Sequence, residues 1–562
     1  MLQALADAFA LHQAGRLDAA EAAYAAVLAQ TPDDPVALIN AGALALARDD
    51  LANALARFAH AVAKVPGNAV ARNNLGFAQL RAGRVDDALA SLDRAIAAKP
   101  DYAQAHNNRG IALVRLGRRA DARAAFERAL ALDPALADAA VNLGDLHADA
   151  GDAAPAVRAY DAVLARRPND AAAHAGRAFA IAQAGDLAGA RTALAGVVAA
   201  HPDDAGAWQT AGAVANWAWD HGTAEAAFRR ALALDPARDD AQFGVASTLL
   251  ARGRYAEGFD AFERRPLGRF GRAPRFPEFA PWDGAPLRGT LLLHAEQGHG
   301  DVVQFARFIA AARARVDRIV LVSDGYHAPL APLLASCAGI DAVVTDVAPL
   351  RDERIAARAS VLSLAHLLGI GVTDLPGPIP YLEAAPAGVA AWTARLGERP
   401  VPRIGLAWSV LARDDHAFVT RHKSVPPAAL APLLRGTDAT FVTLQPGAAG
   451  DPAALGAHAA RVVDTRDALR DFAATAALIG ALDLVVSADT AVAHVAGALG
   501  APVWLLERAH GCWRWRLEAE ASPWYPTMTI FRQPRIDAWD DVVTRVGAAL
   551  ARRFPRSAAP AH

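Results

Sequence analysis

The sequence predicts a multidomain protein of the α plus α/β class, in which a helical repeat region precedes two units built on parallel sheets. Three observations support this fold class. Proline recurs every 34 residues through the first part of the chain, the period ends near Arg265, and from Thr290 short apolar runs alternate with amphipathic segments. Such alternation is typical of parallel strands joined by crossover helices. The length of 562 residues is enough for three or four domains of about 150 residues each.

The helical region repeats a pattern of 34 residues. Small residues occupy the eighth and twentieth positions, a large residue the twenty-fourth, and seven prolines hold the register, namely Pro32, Pro66, Pro100, Pro134, Pro168, Pro202 and Pro236. Small residues let two antiparallel helices approach closely, and proline ends the second helix because it supplies no N–H. The pattern resembles the tetratricopeptide repeat. We therefore predict an N-terminal α-solenoid over residues 1–265, with seven repeats and a degenerate eighth unit that serves as a cap.

Asparagine recurs at the sixth position of the repeat. Four repeats carry it, and two of them add a second amide one residue earlier: Asn40, Asn74, Asn108 and Asn142, with Asn73 and Asn107. The sixth position lines the concave face in tetratricopeptide proteins, and an amide can both donate to and accept from a peptide backbone. A similar ladder holds acceptor polypeptide in protein O-GlcNAc transferases with these repeats. We expect these residues to bind an acceptor protein; the alternative is that they bridge adjacent helices.

The composition excludes several classes of function. Lys+Arg 57 against Asp+Glu 59 leaves a net charge of −2, which gives no electrostatic basis for binding nucleic acid. Lysine occurs only at Lys64, Lys99 and Lys423, a bias typical of a GC-rich bacterial genome. The chain has two cysteines and no motif with the spacing of metal ligands. We therefore expect that the protein binds no metal ion and no cofactor. We see no targeting segment or apolar run long enough to span a membrane, and we expect a cytoplasmic protein.

The second half predicts a linker and two α/β lobes. Residues 266–286 are rich in Pro, Arg and Gly and read as the linker. We assign residues 287–398 to an N-terminal lobe, 399–552 to a C-terminal lobe with a closing helix, and 553–562 to a tail. The predicted strands are TLLLHAEQ, RIVLVSD and DAVVTDV in the first lobe, and RIGLAWS, TFVTLQP, RVVDT, LDLVVSAD and APVWLLE in the second.

Several motifs in this half resemble those of one enzyme family. They are AEQGHGDVVQFARF, RIGLAWS, DFAATAALIGALDLVVSADTAVAHVAGALGAPVW and SPWYPTMTIFRQ. Together they resemble the heptosyltransferase-like glycosyltransferases of family 9, in the bacterial form fused to tetratricopeptide repeats. The resemblance implies a GT-B fold of two Rossmann-like lobes, with a nucleotide-sugar co-substrate in the C-terminal lobe and the acceptor facing the N-terminal lobe. It also implies metal-independent transfer with inversion. Fusions of this kind include flagellin glycosyltransferases. The resemblance therefore makes a protein acceptor the expected partner, with flagellin as a candidate.

A candidate donor site lies between an apolar strand and a helix. A helix N-terminus presents free N–H groups that suit a diphosphate, and the resemblance places sugar-nucleotide contacts on Asp489, Thr490, Ala491 and His494. The alternative is an N-cap followed by a packed histidine. Lys423 matches the basic residue of the family and could neutralise a leaving phosphate. Ser424 completes the basic-Ser pair of the family with Lys423. Ser409 and Gln445 end predicted strands, where we expect ligand contacts.

A candidate catalytic aspartate follows the first strand of the N-terminal lobe. Asp301 falls where related heptosyltransferases carry a catalytic Asp, and the resemblance implies that it is the general base. The alternative is an N-cap for the helix after it. His299 departs from the family and could be a second base or a substrate contact.

The sequence therefore predicts a protein glycosyltransferase that modifies Ser or Thr of an acceptor captured by the repeats. Two loops, 411–422 and 507–512, depart from the text of the family. They support an alternative class of protein, a non-catalytic repeat scaffold with a degenerate transferase domain.

Overall fold

The computed structural model describes residues 2–265, 275–346, 348, 350, 354–371, 375, 378–399, 402–410, 421–436, 438–516 and 520–555. Residues 266–274 of the predicted linker, most of the 411–422 loop and most of the predicted tail therefore lie outside the described residues. The chain divides into two compact units, one that ends at Ala180 and one that begins at Ile181.

The first unit consists of helices arranged in pairs. They are α1 (Leu2–Gln13), α2 (Leu17–Gln30), α3 (Pro35–Ala47), α4 (Leu51–Lys64), α5 (Ala69–Arg81), α6 (Val85–Ala98), α7 (Ala103–Arg115), α8 (Arg119–Leu132), α9 (Ala137–Asp149), α10 (Ala153–Leu164) and α11 (Ala171–Gln183), whose last three residues belong to the second unit. The repeat pattern explains their packing. A Cβ on Gly42 would lie 2.7 Å from the ring of Phe58, and one on Gly144 would lie 2.8 Å from the ring of Tyr160. The small eighth residue thus makes room for the large twenty-fourth.

Five more helices of the same kind belong to the second unit: α12 (Leu187–Ala200), α13 (Ala205–Trp217), α14 (His221–Leu234), α15 (Asp239–Ala251) and α16 (Tyr255–Phe262). The last pair packs into the core of the α/β part. Phe262 stacks on Phe305 with ring centroids 6.1 Å apart, and the buried Arg265 pairs with the buried Glu296. Glu296 therefore joins the helical pairs to the first sheet.

The first sheet has four parallel strands. These are β1 (Leu287–His294), β2 (Val316–Val322), β3 (Ala342–Val344) and β4 (Ile355–Ser360), in the order β3-β2-β1-β4. Helices α17 (His299–Ala306), α18 (Ile309–Arg313), α19 (Ala331–Leu334) and α20 (Leu364–Leu367) accompany them. The sequence analysis missed β4, because IAARAS contains one β-branched residue and no apolar run.

The second sheet has six parallel strands. They are β5 (Arg403–Ala407), β6 (Thr440–Thr443), β7 (Val462–Val463), β8 (Leu484–Ala488), β9 (Val503–Glu507) and β10 (Met528–Arg532), in the order β10-β9-β8-β5-β6-β7. Its helices are α21 (Pro386–Leu396), α22 (Ala431–Gly436), α23 (Phe472–Ile479), α24 (Ala491–Ala498) and α25 (Trp539–Arg553). The five predicted strands are confirmed, and β10 was missed.

The strand orders locate a crevice in each sheet. From β5 the chain proceeds outward through β6 and β7, whereas β8, β9 and β10 proceed outward on the other side. In the first sheet the same reversal occurs at β1, between β2 and β4. Ligands of open α/β sheets bind at such switch points, beyond the carboxyl ends of the strands. Asp301 follows β1, Ser409 follows β5, and Asp489 follows β8.

Candidate functional site

A cleft of about 650 Å³ lies at the carboxyl ends of β1, β5, β6 and β8. Nine of the ten residues predicted as catalytic or donor-binding line it, namely His299, Asp301, Ser409, Lys423, Gln445, Asp489, Thr490, Ala491 and His494. Ser424 does not line it; its Oγ accepts a hydrogen bond from the Val410 backbone N–H at 3.0 Å. The structure thus gathers residues from both sheets around one cavity.

The floor of the cleft contains a buried ion pair. Lys423 Nζ lies 2.6 Å from Asp489 Oδ2. Burial acts to raise the pKa of Asp489, but Lys423 and then His494 outweigh it and hold that pKa well below its usual range. The pKa of Lys423 rises in turn, because Asp489 overcomes the opposing effect of burial. Both members of the pair are therefore charged at neutral pH, and both line the cavity.

Thr490 is the N-cap of α24. Its Oγ1 accepts a hydrogen bond from the Val492 N–H at 3.2 Å and lies 3.1 Å from Ser487 Oγ. This is the capping role foreseen as the alternative for this segment. Ala491, the first residue of the helix, lines the cavity, so the N-terminal end of α24 faces any anion that enters.

His494 is nearly fully buried behind Asp489. Its Nε2 lies 4.0 Å from Asp489 Oδ1, and its Nδ1 lies 3.0 Å from the hydroxyl of Tyr525. Burial lowers the pKa of His494 to about 4, although Asp489 opposes that shift. The imidazole is therefore neutral at pH 7. Tyr525 was not among the predicted site residues.

Asp301 bridges the two sheet regions. It is the third residue of α17, and its Oδ2 accepts a hydrogen bond from the Gly298 N–H at 2.8 Å. Its Oδ1 forms an ion pair with Arg514, whose side chain also contacts Gln304. The helix begins at His299 rather than after Asp301, so Asp301 caps it from inside the first turn and is not its N-cap.

His299 belongs to an aromatic wall of the cleft. Its ring stacks on Tyr326 with centroids 4.0 Å apart, and Phe472 lies 5.0 Å away. Its Nε2 donates to the backbone carbonyl of Tyr326 at 2.8 Å, since a carbonyl oxygen only accepts. The hypothesis that His299 is a second base or a substrate contact stays a prediction.

Gln445 holds the end of β5. Its Oε1 accepts from the backbone N–H groups of Trp408 and Ser409, at 2.6 and 2.9 Å, and its Nε2 donates to the Ser409 carbonyl. The amide therefore fixes the strand end at the rim of the cavity. Its expected contact with a nucleotide stays a prediction.

The 507–512 loop packs on the helix pair α13–α14. The indole Nε1 of Trp219 donates to the Ala509 carbonyl at 2.9 Å, and Trp217 lies against His510 with ring centroids 4.9 Å apart. The predicted 507–512 loop therefore contacts the repeats within the second unit. The same segment continues to Arg514 and so connects the repeats to Asp301.

The asparagine ladder lies in the first unit. Asn108 Nδ2 donates to Asn73 Oδ1, and Asn142 Nδ2 donates to Asn107 Oδ1, both at 2.9 Å. Asn73, Asn107 and Asn108 are buried, whereas Asn40, Asn74 and Asn142 are partly exposed. Asn73, Asn107, Asn108 and Asn142 therefore bridge adjacent repeats, as the alternative expected. Whether the partly exposed amides also bind an acceptor stays a prediction.

Two family models of the tetratricopeptide repeat match the helical part of the chain. One matches residues 39–103, 73–137 and 220–269, and the other matches residues 113–178 and 147–214. The helical pairs are tetratricopeptide repeats. The prediction made from the period of 34 residues is thus confirmed.

Other comparisons give more distant similarity. The chain is 30% identical over 333 residues to Protein FlbA of Caulobacter vibrioides, covering 55% of this chain and 54% of that protein. It therefore spans about half the length of this curated relative. A tetratricopeptide repeat protein from Parabacteroides merdae is 18% identical with a TM-score of 0.39, over 44% of this chain and 98% of that one. TTC0263 of Thermus thermophilus is 27% identical with a TM-score of 0.29, over 32% and 98%.

Within the described residues, no helix is both long and apolar enough to cross a membrane. In the same part of the chain, no group of three or more His, Cys, Asp or Glu side chains is arranged to hold a metal ion. Metal-independent chemistry stays a prediction.

Proposed function

We propose that the chain is a GT-B glycosyltransferase that transfers a sugar from a nucleotide-sugar donor to a Ser or Thr of an acceptor protein bound by the repeats. One observation carries the proposal. A single cleft between two parallel sheets contains an ion pair between Lys423 and the buried Asp489, a helix N-terminus and a carboxylate from the opposite sheet. The family resemblance of the motifs that form this cleft supports the same function, and flagellin is a candidate acceptor from that resemblance alone.

The donor would lie against the second sheet. A diphosphate carries negative charge, which Lys423 and the first turn of α24 can neutralise. The charge on the leaving nucleotide increases as the bond from the anomeric carbon to the phosphate oxygen breaks. Lys423 would therefore stabilise the transition state more than the bound donor.

Asp301 would be the general base on the opposite wall. An acceptor hydroxyl oxygen attacks the anomeric carbon, its proton passes to Asp301, and the nucleotide leaves with the electron pair of the broken bond. Each carboxylate oxygen has two acceptor positions. The bonds from Gly298 and Arg514 therefore leave capacity for the acceptor hydroxyl.

Ligand binding tests the donor site. We would measure the thermal shift of the protein with UDP-, GDP-, ADP- and CMP-sugars; a ligand at 100 times its Kd adds about 2.7 kcal/mol to the free energy of unfolding. We expect a shift with one nucleotide class, and its loss in Lys423→Gln and Thr490→Val. The control is Lys64→Gln, because Lys64 forms a similar pair with Asp33 at 2.7 Å on the surface of the first unit.

Transfer tests the reaction. Asp301→Asn should keep the ligand shift and lose the mass increment on a co-expressed acceptor protein, measured by intact-mass spectrometry. Loss of the increment together with the shift would contradict the role as base. No shift with any sugar nucleotide would favour the second candidate, a non-catalytic protein-binding scaffold. The attachment of the 507–512 loop to the repeats is the observation that favours that candidate.

A further inference from the structure

A buried tyrosine hydroxyl contacts the inner nitrogen of His494. Tyr525 is fully buried, and its hydroxyl oxygen lies 3.0 Å from His494 Nδ1. The tyrosine comes from the turn before β10 and does not line the cleft. It can therefore act on a ligand only through the histidine.

The hydrogen-bond partners determine which atom donates. Burial raises the pKa of Tyr525 to about 12 and lowers that of His494 to about 4, so at neutral pH the phenol keeps its proton and the imidazole carries one. Tyr381, whose hydroxyl is 3.5 Å from that of Tyr525, directs its own hydroxyl to the Val303 carbonyl at 3.0 Å. A carbonyl only accepts, so Tyr381 donates there. The Tyr525 hydroxyl therefore donates its proton to His494 Nδ1, which is a nearer acceptor than the Tyr381 hydroxyl. Because Nδ1 accepts, the ring proton of His494 is on Nε2.

The ring of His494 is held in one orientation. Trp515 lies against it with ring centroids 5.3 Å apart. On another side is Gly300, where a Cβ would lie 2.7 Å from His494 Cδ2 and 3.3 Å from Nε2. Glycine at position 300 therefore allows α17 to approach the imidazole. Rotation of the ring by half a turn would break the bond to Tyr525 and exchange Nδ1 with Cδ2, the ring atom beside Gly300.

The separation between His494 and Asp489 fits a hydroxyl group. The two atoms Nε2 and Asp489 Oδ1 are 4.0 Å apart, too far for a direct hydrogen bond. A hydroxyl oxygen between them can accept from Nε2–H and donate to the carboxylate. A phosphate oxygen has no proton to donate and would be repelled by Asp489.

We propose that Tyr525 is a positioning residue that fixes His494 as its Nε2–H tautomer, so that His494 and Asp489 together bind one hydroxyl of the donor's sugar. The second half of this inference rests on the proposed function, because it takes the cleft to be the donor site. The first half does not, because the tautomer is a property of the protein without ligand.

Nuclear magnetic resonance tests the tautomer on the full chain without ligand. With ¹⁵N-labelled histidine, the His494 signals are assigned by their loss in His494→Gln. We expect a protonated Nε2 and an unprotonated Nδ1 at pH 7, and a mixture of tautomers in Tyr525→Phe. Tyr381→Phe is the matched control, since it removes the neighbouring buried hydroxyl and should leave the tautomer unchanged. A protonated Nδ1 in the unmodified protein, or no change in Tyr525→Phe, would overturn the assignment.

Affinity measurements test the proposed contact with a sugar hydroxyl. The Kd is measured for each sugar nucleotide of the panel and for the corresponding nucleoside diphosphate without the sugar. Tyr525→Phe should weaken binding of the sugar nucleotide about five- to tenfold, which is the equivalent of one hydrogen bond. It should leave the affinity for the nucleoside diphosphate unchanged. If the substitution weakens binding of the sugar nucleotide and of the diphosphate equally, His494 contacts a phosphate group and the proposed contact with a sugar hydroxyl is wrong. If no sugar nucleotide binds the unmodified protein, the proposed function and the hydroxyl contact fail, whereas the tautomer result still decides the role of Tyr525.

A second pair of variants covers the case in which Tyr525→Phe does not fold. In His494→Gln the side-chain amide nitrogen can take the position of Nε2 and donate there. In His494→Asn the side-chain amide nitrogen can take only the position of Nδ1. His494→Gln should therefore bind the sugar nucleotide more tightly than His494→Asn. The reverse order would contradict the proposal.

Discussion

Arg514 and Asp301 form an ion pair across the cleft, although 213 residues separate them in the sequence. Asp301 belongs to the first turn of α17, beside the first sheet, and Arg514 belongs to the segment after β9 in the second. The Arg514 side chain is largely buried, whereas that of Asp301 is about one quarter exposed. The pair therefore fixes the candidate base relative to the donor side.

A double-mutant cycle should detect this coupling. Asp301→Asn and Arg514→Gln remove the two charges singly and together. We expect a coupling energy of about 1.5–3 kcal/mol in the free energy of unfolding, because hydrogen bonds to charged groups contribute that much. Chemical denaturation of the four proteins gives the value. Arg545→Gln serves as the control, since its pair with Asp541 lies on the exposed face of α25. Additive effects at the cleft would mean that the ion pair contributes no stability.

The eighth position of the repeat should not tolerate a side chain. In Gly42→Ala the new Cβ would lie 2.7 Å from a ring carbon of the buried Phe58. The gain in helix propensity is about 1 kcal/mol, and overpacking costs about 1–3 kcal/mol, so we expect a net loss of stability. Thermal unfolding followed by circular dichroism measures it.

Two further variants decide the cause of that loss. Gly67→Ala places a Cβ where no atom lies within 4 Å among the described residues, and it should be nearly neutral. Combining Gly42→Ala with Phe58→Leu should recover part of the stability lost in the Gly42 variant, measured relative to Phe58→Leu alone. Equal effects of the two glycine substitutions would contradict the packing argument.

Sequence periodicity predicted the repeats and the cleft but not all of its residues. The motifs at the ends of β1, β5, β6 and β8 could be found because each follows an apolar strand in the sequence. Arg514 and Tyr525 follow no such strand end, and their contacts with Asp301 and His494 depend on tertiary structure. The strand β4 was missed because its sequence, IAARAS, contains no apolar run.

A buried carboxyl should make the protein less stable at alkaline pH. Glu507 is fully buried at the end of β9, and burial, reinforced by Asp489, raises its pKa from 4.5 to about 7. The folded state therefore holds this proton more tightly than the unfolded chain. Its contribution to stability is complete below pH 4.5 and is lost as pH rises through about 7.

Glu507→Gln should remove this dependence. The amide oxygen can still accept the bond that Glu507 Oε1 receives from the Cys512 N–H at 3.0 Å. We expect the variant to gain about 1–3 kcal/mol relative to the unmodified protein between pH 5 and pH 8. Denaturation at the two pH values measures the difference. A constant difference between the two proteins would show that Glu507 is ionised at both.

Buried histidines should produce the opposite dependence on the acid side. His294 is 5% exposed, and burial lowers its pKa to about 4, although Glu296 opposes the shift; His494 has a similar value. Because the unfolded chain takes up these protons near pH 6.5, their contribution to stability is present above that pH and is lost as pH falls through about 4. Replacing His294 by Gln should therefore reduce the loss of stability between pH 6.5 and pH 4 by about 1–3 kcal/mol.

The matched control for His294 is His174→Gln, a half-buried histidine on α11, which should change the pH profile less than His294→Gln does. Stability is measured by denaturation at intervals of half a pH unit. If His294→Gln and His174→Gln follow the same profile, burial of His294 does not oppose its protonation. The loss of stability between pH 6.5 and pH 4 could instead persist in His294→Gln and disappear only in the double variant with His494→Gln. The acid-sensitive group would then be the histidine of the cleft, and sugar-nucleotide binding should weaken over the same pH range.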